Sequence, residues 1–442
     1  MVSNNSGDKS MQITANEKMT YILIIIISFC FTISSASHNV MIALIGTGIL
    51  LIAFVSMQKQ AILLMIGLIP NIRIMKIPGI DAAVLSYCFL FTELLLLLGW
   101  KDVKVSKKNL CFVGSIIVTA FVNNNIGIFS PFLRCIVFFI FFLNYLQSEE
   151  NRSYLCDNAP NIFVFGTVIN IICGILYYGM RGIPIFSGRF AGISVDPNYY
   201  ATVIAVAISI IVLMISYSHF RLFCGCIAAF LLVGGLLSVS RMYFFALIWP
   251  LIIVVRMMMS GKDIKKIMPV IALGIVGGLL LWNMVGPLLN NIMERFNSDS
   301  TVGGNGRVDA WEFYISNWKQ SVVSILFGSG TNLELLRDNR GIVTVQHNLY
   351  VETLSEIGII GAITMVECFY ELYKECVNSR GKIIYWVPIM TAMTCYFSLN
   401  ALFSETSGFI LLIGFVMYEN LSRKDLEIND YLNWRKNEDN TN

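Results

Sequence analysis

Charge is what this sequence has least of. Only 13% of its 442 residues are Asp, Glu, Lys or Arg, while 56% are hydrophobic, and the mean hydropathy is +0.70. A water-soluble domain cannot hide that much apolar surface, so the composition excludes a soluble enzyme and predicts a polytopic membrane protein. A net charge of +3 gives no basis for nucleic-acid binding. Histidine is nearly absent, with three residues in the chain. No Asp-x-Asp clamp, P-loop, serine elbow or zinc motif is present, so the usual metal and nucleotide signatures are missing. Eleven Cys occur, mostly singly inside apolar runs. Even Cys224 and Cys226 have neither metal-ligand nor disulfide-framework spacing, and the Cys read as small buried hydrophobes.

Long apolar runs are what the chain does have. A span takes about 20 residues, and fourteen candidates lie at about 20–36, 38–57, 60–77, 80–99, 109–126, 128–147, 160–179, 198–217, 220–239, 241–259, 267–287, 347–371, 383–402 and 405–421. The expectation is an all-α polytopic integral membrane protein of 12–14 spans. Residues 1–287 carry the first eleven helices, 288–346 form one large exterior loop, 347–421 carry the last three helices, and 422–442 are a solvated tail. The third run is crowded by Pro70, Asn71, Arg73 and Lys76 and reads as re-entrant. Tyr21 to Ser37 ends in SSAS, as a cleaved leader does. The mixed charges before it (Asp8, Lys9, Glu17, Lys18) and the apolar run directly after it predict an uncleaved first span.

Loop Lys and Arg set the orientation. Lys101, Lys104, Lys107 and Lys108 fill one loop, Lys262, Lys265 and Lys266 another, and Lys374, Arg380 and Lys382 a third. With Arg423, Lys424, Arg435 and Lys436 in the tail, alternation places all four groups in the cytoplasm, together with both termini. The exterior set is Arg73, Lys76, Arg181, Arg189, Arg241, Arg295, Arg307, Lys319, Arg337 and Arg340. Eight of these ten are Arg, whereas on the inner side Lys outnumbers Arg by 14 to 6. Guanidinium forks grip phosphate or carboxylate at two points, so the outer face reads as an anion-handling surface. Selection against exterior Lys gives the same bias without any ligand.

Two exterior loops hold the polar groups. In MRGIPIFSGRFAGISVDPNYYA, Met180 to Ala201, Gly and Pro stop one helix and Asp196 caps the next. In the second, Leu288 to Gln346, WEFYISNWKQSVVSILFG has apolar residues at helical spacing and is expected to lie along the membrane surface. It leads into VTVQHNLYVETLSEIGIIGA, where a polar loop enters an apolar helix. His38 and His219 sit in short turns; His347 alone combines an exterior position with other polar groups. A neutral imidazole there can take a proton from a hydroxyl, or simply mark a helix start. Asn348, Glu352 and Glu356 share one helix face and can bind sugar hydroxyls or hold Arg side chains. Arg241, after SVS, suits a phosphate at headgroup depth, or snorkels. Arg181 and Arg295 each precede a Gly (Gly192, Gly306) by the same eleven residues. Arg134, Asp81 and Glu93 read as internal pairs.

Three stretches resemble the O-antigen polymerase and ligase superfamily of bacterial membrane glycosyltransferases. They are GRFAGISVDPNYYA, SVSRMYFFAL, and the block from GRVDAW through LFGSGT to QHNLYVETLSEIGIIG, within about Ile175 to Ile410. The resemblance implies a GT-C-like fold in the bacterial inner membrane and metal-independent glycan transfer without a cofactor. Donor and acceptor would be glycans on undecaprenyl diphosphate, at the periplasmic face; a chain-length regulator is the protein partner that the resemblance adds. It also implies His347, Arg189 and Arg241 as the catalytic groups, with Arg307 a weaker match. Through the paired Arg-x10-Gly loops of the polymerase branch it implies Arg181 and Arg295. With these, Asn348, Glu352 and Glu356, read from their shared helix face, complete the substrate-binding candidates. A repeat-unit polymerase is the leading reading. A ligase moving finished glycan to lipid A-core or protein shares the donor chemistry, and a non-enzymatic transporter or flippase is the third.

Overall fold

The computed structural model describes residues 15–57, 59–79, 84–125, 128–185, 188–194, 196–215, 217, 220–259, 286, 290, 293–294, 307–330, 347–399 and 405–441. All regular structure among them is helical, as hydrocarbon demands of a backbone that must satisfy itself. The helices are α1 (Ala15–Ser37), α2 (Val40–Met57), α3 (Lys59–Leu68), α4 (Val84–Gly99), α5 (Lys107–Val122), α6 (Phe129–Leu146), α7 (Glu149–Met180), α8 (Pro197–Ile215), α9 (Arg221–Leu236) and α10 (Arg241–Met259). After them come α11 (Arg307–Trp318), α12 (Val322–Phe327), α13 (Leu349–Cys376), α14 (Val387–Cys395) and α15 (Glu405–Thr441). Six of the described helices, namely α1, α2, α7, α8, α10 and α13, are long and apolar enough to cross a bilayer; α4 and α9 are among the shorter apolar ones. The chain is thus an all-helical membrane protein. α8 is its axis, buried along almost its whole length against α7, α9, α10 and α14. The Phe-rich α6 packs Phe138 and Phe142 edge-on against Phe409 of α15.

Several elements differ from the run of apolar residues. The third segment stops after ten helical residues and passes into a 3-10 turn, Ile69–Asn71. Pro70 has no N–H to continue the helix. The buried carbonyls freed there are taken by side chains: Tyr199 Oη donates to Ile69 O at 3.1 Å, and Asn170 Nδ2 to Pro70 O at 2.5 Å. α7 begins at Glu149, capped by Ser148, well before the apolar run at 160. The segment at 383–402 is a 3-10 turn, the short α14 and another 3-10 turn. The expected tail at 422–442 instead continues α15 to Thr441. The eleventh run, 267–287, and most of 288–346 lie outside the described residues.

The most consequential difference is in α13. It is broken inside the apolar run, where Gly358 takes φ 67, ψ −172. The break frees carbonyls one turn earlier, and the FGSG turn after α12 fills them. Ser329 N donates to Ser355 O at 2.7 Å and Gly330 N to Glu356 O at 2.9 Å. From α5, Thr119 Oγ1 donates to Phe327 O at 2.8 Å and Asn123 Nδ2 to Gly328 O at 3.2 Å. Gly328 and Gly358 both sit at positive φ, with their backbones in direct contact. A Cβ on Gly358 would strike the Leu326 carbonyl and the Gly328 amide; one on Gly328 would strike the Glu356 carbonyl. Left-handed backbone alone costs a side chain about 1–2 kcal/mol. Gly358→Ala is therefore expected to lower stability by about 3 kcal/mol or more, read as a fall in melting temperature in detergent.

A polar cluster closes the bundle at the end away from residue 347. The Asp425 carboxylate of α15 receives Lys382 Nζ at 2.8 Å, Tyr217 Oη at 2.9 Å and the Tyr385 hydroxyl. Six residues earlier, the buried Glu419 accepts from the backbone N–H groups of Asn378 and Ser379, each at 3.0 Å, and from Arg423 Nε at 2.8 Å. Burial works to raise the pKa of Asp425, but the Lys382 ammonium and the tyrosine hydroxyls outweigh it and leave the carboxyl below 3.8. A carboxyl depressed on folding stabilises the fold above its unfolded pKa, and that contribution fades as pH falls through the folded value. Asp425→Asn should lower the melting temperature at pH 7 and flatten its decline below about pH 4. Lys382 is largely solvated, so solvent screens its share of the effect.

Candidate functional site

The site grows from the DPN turn. Pro197 opens α8, and the Asp196 carboxylate accepts from Asn198 N at 2.8 Å, which closes the helix start. That leaves the Asn198 side chain free to reach sideways. Its Oδ1 accepts from Arg189 Nη2 at 2.8 Å and from Ser240 Oγ at 3.0 Å. Arg189 Nε donates in turn to Ser238 O at 3.3 Å, and Phe190 N to Leu237 O at 3.0 Å. One asparagine thus ties the loop carrying Arg189 to the SVS turn that precedes Arg241, the first residue of α10.

The SVS turn is tense. Val239 stands at φ 48, a region that a β-branched residue rarely enters. His347 stands at φ 47. Such outliers persist only where the surroundings over-determine them, and they concentrate at functional sites. Here Ser238 Oγ bonds Gly235 O at 2.7 Å and receives Ser240 N at 3.2 Å.

His347 is half-buried, directly before α13. Burial lowers its pKa below 6.5, the nearby Arg307 guanidinium lowers it further, and the Asp196 carboxylate opposes both. Its field therefore comes from α11 on one side and from the DPN turn on the other. The result is a neutral imidazole at pH 7, suited to accept a proton. Asn348 caps α13: its Oδ1 accepts from Tyr350 N at 2.9 Å and Val351 N at 3.2 Å. That oxygen is spent on the helix start, and Asn348→Ala is expected to cost about 1 kcal/mol of stability.

Glu352 and Glu356 follow on the same helix and are 7% and 8% exposed. α11 lies along this strip. Arg307, its first residue, is felt by His347; two turns on, burial and then the charges of Glu356 and Glu352 push the Tyr314 phenol well up. The segment between α10 and α13 thus covers the start of α13 with a helix. The stretch WEFYISNWKQSVVSILFG is two helices rather than one, split at Ser321, which caps α12.

The starts of α8 and α10 are joined by hydrogen bonds, and those of α11 and α13 lie within electrostatic range of the DPN turn through His347. A helix N-terminus presents unpaired N–H groups and the positive end of the dipole. Arg189, Arg241 and Arg307 stand among them, so the electrostatics favour an anion. Arg181 is placed elsewhere. It follows α7, is exposed, and contacts the His38 ring at the α1–α2 turn. Arg295, like Asp81, His219, Arg337 and Arg340, lies outside the described residues. Asn198, Ser238, Ser240 and the field of Asp196 on His347 were missed from the sequence. DPN and SVSR are both visible there as motifs, but nothing indicates that a side chain of one reaches the other across some forty residues. Compared with known protein families, characterised proteins and solved structures, the chain matches none significantly.

Proposed function

We propose that the chain is a surface-polysaccharide polymerase of the bacterial inner membrane. It would join oligosaccharide repeats carried on undecaprenyl diphosphate, at the periplasmic end of the bundle. One observation carries the reading: through Asn198 and Asp196, two exterior Arg-bearing segments and a neutral His347 come into one cluster, at helix starts. Arg189 and Arg241 neutralise the donor diphosphate. His347 takes the proton of an acceptor hydroxyl as its oxygen bonds to the anomeric carbon. The bond from that carbon to the diphosphate breaks, and the lipid diphosphate leaves with the electron pair. Preorganised charge of this kind is usually the largest single catalytic contribution. Arg307 holds His347 in its neutral form, and α11 shields the strip of Glu352 and Glu356 that would meet sugar hydroxyls.

The surface glycan of a host lacking the gene, complemented with wild-type or variant chains, tests this. A polymerase variant such as His347→Ala should leave surface lipid with a single repeat. Lipid-linked polymer that accumulates unattached would instead indicate the ligase reaction. An unchanged ladder in both His347→Ala and Arg189→Ala would remove the site.

A further inference from the structure

A polymerase of lipid-linked repeats must hold two lipid phosphates at once, and the cluster around Arg189 accounts for one. A further guanidinium, Arg73, is tied to the start of α8 through Tyr199. It sits just past the 3-10 turn that ends α3, half-buried, with its Cζ 5.0 Å from the centroid of the Tyr199 ring. Tyr199 directly follows Asn198, which holds Arg189. The ring is 3% exposed and its hydroxyl is fixed on Ile69 O, so the platform is rigid. The backbone below Arg73 is fixed as well, by Asn170 on Pro70 O.

A cation–π contact at one ring engages only part of a guanidinium. Its five N–H donors lie in the plane and point outward. Among the described residues Arg73 makes no hydrogen bond or ion pair; the Tyr199 ring is its partner. A partly desolvated fork held over a rigid ring, with no hydrogen bond or ion pair among the described residues, suits an oxyanion. The exposed Lys76 lies three residues on and adds positive charge.

We infer that Arg73, held over the Tyr199 ring, is a second phosphate-binding site, separate from Arg189, that holds the diphosphate of the lipid-linked acceptor. The inference rests on the polymerase reading for the identity of that lipid, but not for the anion site itself. The test uses the full chain in nanodiscs and labelled inorganic pyrophosphate. Wild type should bind two pyrophosphates per chain. Arg73→Ala should bind one, with affinity at the other site reduced about tenfold or more. Arg73→Lys, which keeps the charge and loses the fork, should fall between, and Tyr199→Leu should weaken the same site. Arg189→Ala should lose the other one. Undecaprenyl diphosphate added to the nanodisc should displace the Arg73-dependent pyrophosphate. Failure to displace it would assign the site to a soluble phosphate and overturn the lipid acceptor. Two sites retained in Arg73→Ala, with unchanged elution and melting, would overturn the site itself, as would no binding by wild type. Loss of the Arg73 site alone leaves the polymerase reading intact; that reading fails separately, if Arg189→Ala still polymerises.

Discussion

Arg189→Ala should yield a chain that folds, inserts and joins almost no repeats. If Arg189 stabilises the diphosphate as charge develops on it, its loss should cost about 10²–10³-fold in kcat, the usual range for removing one preorganised donor. Arg189→Lys separates charge from geometry. Arg189 is oriented by two bonds in different directions, Nη2 to Asn198 Oδ1 and Nε to Ser238 O. An ammonium on a flexible stem cannot make both and still face a phosphate. Lysine should therefore recover only a small part of the rate. Asn198→Ala leaves Arg189 in place but removes the acceptor that it shares with Ser240. Its kcat should fall by less than that of Arg189→Ala, with the melting temperature of all three variants within a few degrees of wild type. A collapse in melting temperature that tracks the loss of rate would make Arg189 a structural tie.

His347→Ala should cost about 10²–10⁴-fold if the imidazole is the base, and its pH profile gives the sharper test. Burial and Arg307 hold the pKa of His347 below 6.5, against Asp196. A base works when unprotonated, so the acid limb of kcat/KM should lie below pH 6.5 in wild type. Removing the positive neighbour raises the pKa of His347, so Arg307→Ala should move the limb to higher pH. Removing the negative neighbour lowers it, so Asp196→Asn should move the limb to lower pH, provided that the α8 start survives. A neutral asparagine can still accept from Asn198 N, which is why Asn is the variant of choice. An acid limb that ignores both substitutions would show that another group titrates.

Much of the fold was legible because hydropathy is a direct record of which residues must avoid water. The boundaries of α2, α4, α8, α9 and α10 follow their apolar runs closely. Breaks were harder. Pro70 betrays the end of α3 locally, since proline cannot continue a helix. Gly358 does not betray the break in α13, because a single glycine in an apolar run is ordinary. The break exists because a Gly-Ser-Gly turn some thirty residues upstream supplies the replacement donors, and that is a tertiary fact. The extension of α15 was missed for the opposite reason. Its charged sequence reads as solvated, yet SRKDLEINDYLNWRKNEDN contains neither Gly nor Pro and is rich in helix formers.

In the site, residue types came from the sequence, while partners did not. Arg181 and Arg189 stand eight residues apart in one loop and were equally good candidates. The chain sends Arg189 to Asn198, in another turn, and Arg181 to His38, far away in sequence, and neither partner leaves a local signature. Asn348 was read as a sugar ligand and spends its carbonyl oxygen as a helix cap.

The most direct measurement follows the purified chain in nanodiscs with undecaprenyl diphosphate carrying a single oligosaccharide repeat. Wild type should convert it to a ladder of lipid-linked oligomers while releasing undecaprenyl diphosphate, and Arg189→Ala and His347→Ala should each suppress both products. Intact substrate with wild type, or equal ladders from all three, would contradict the account.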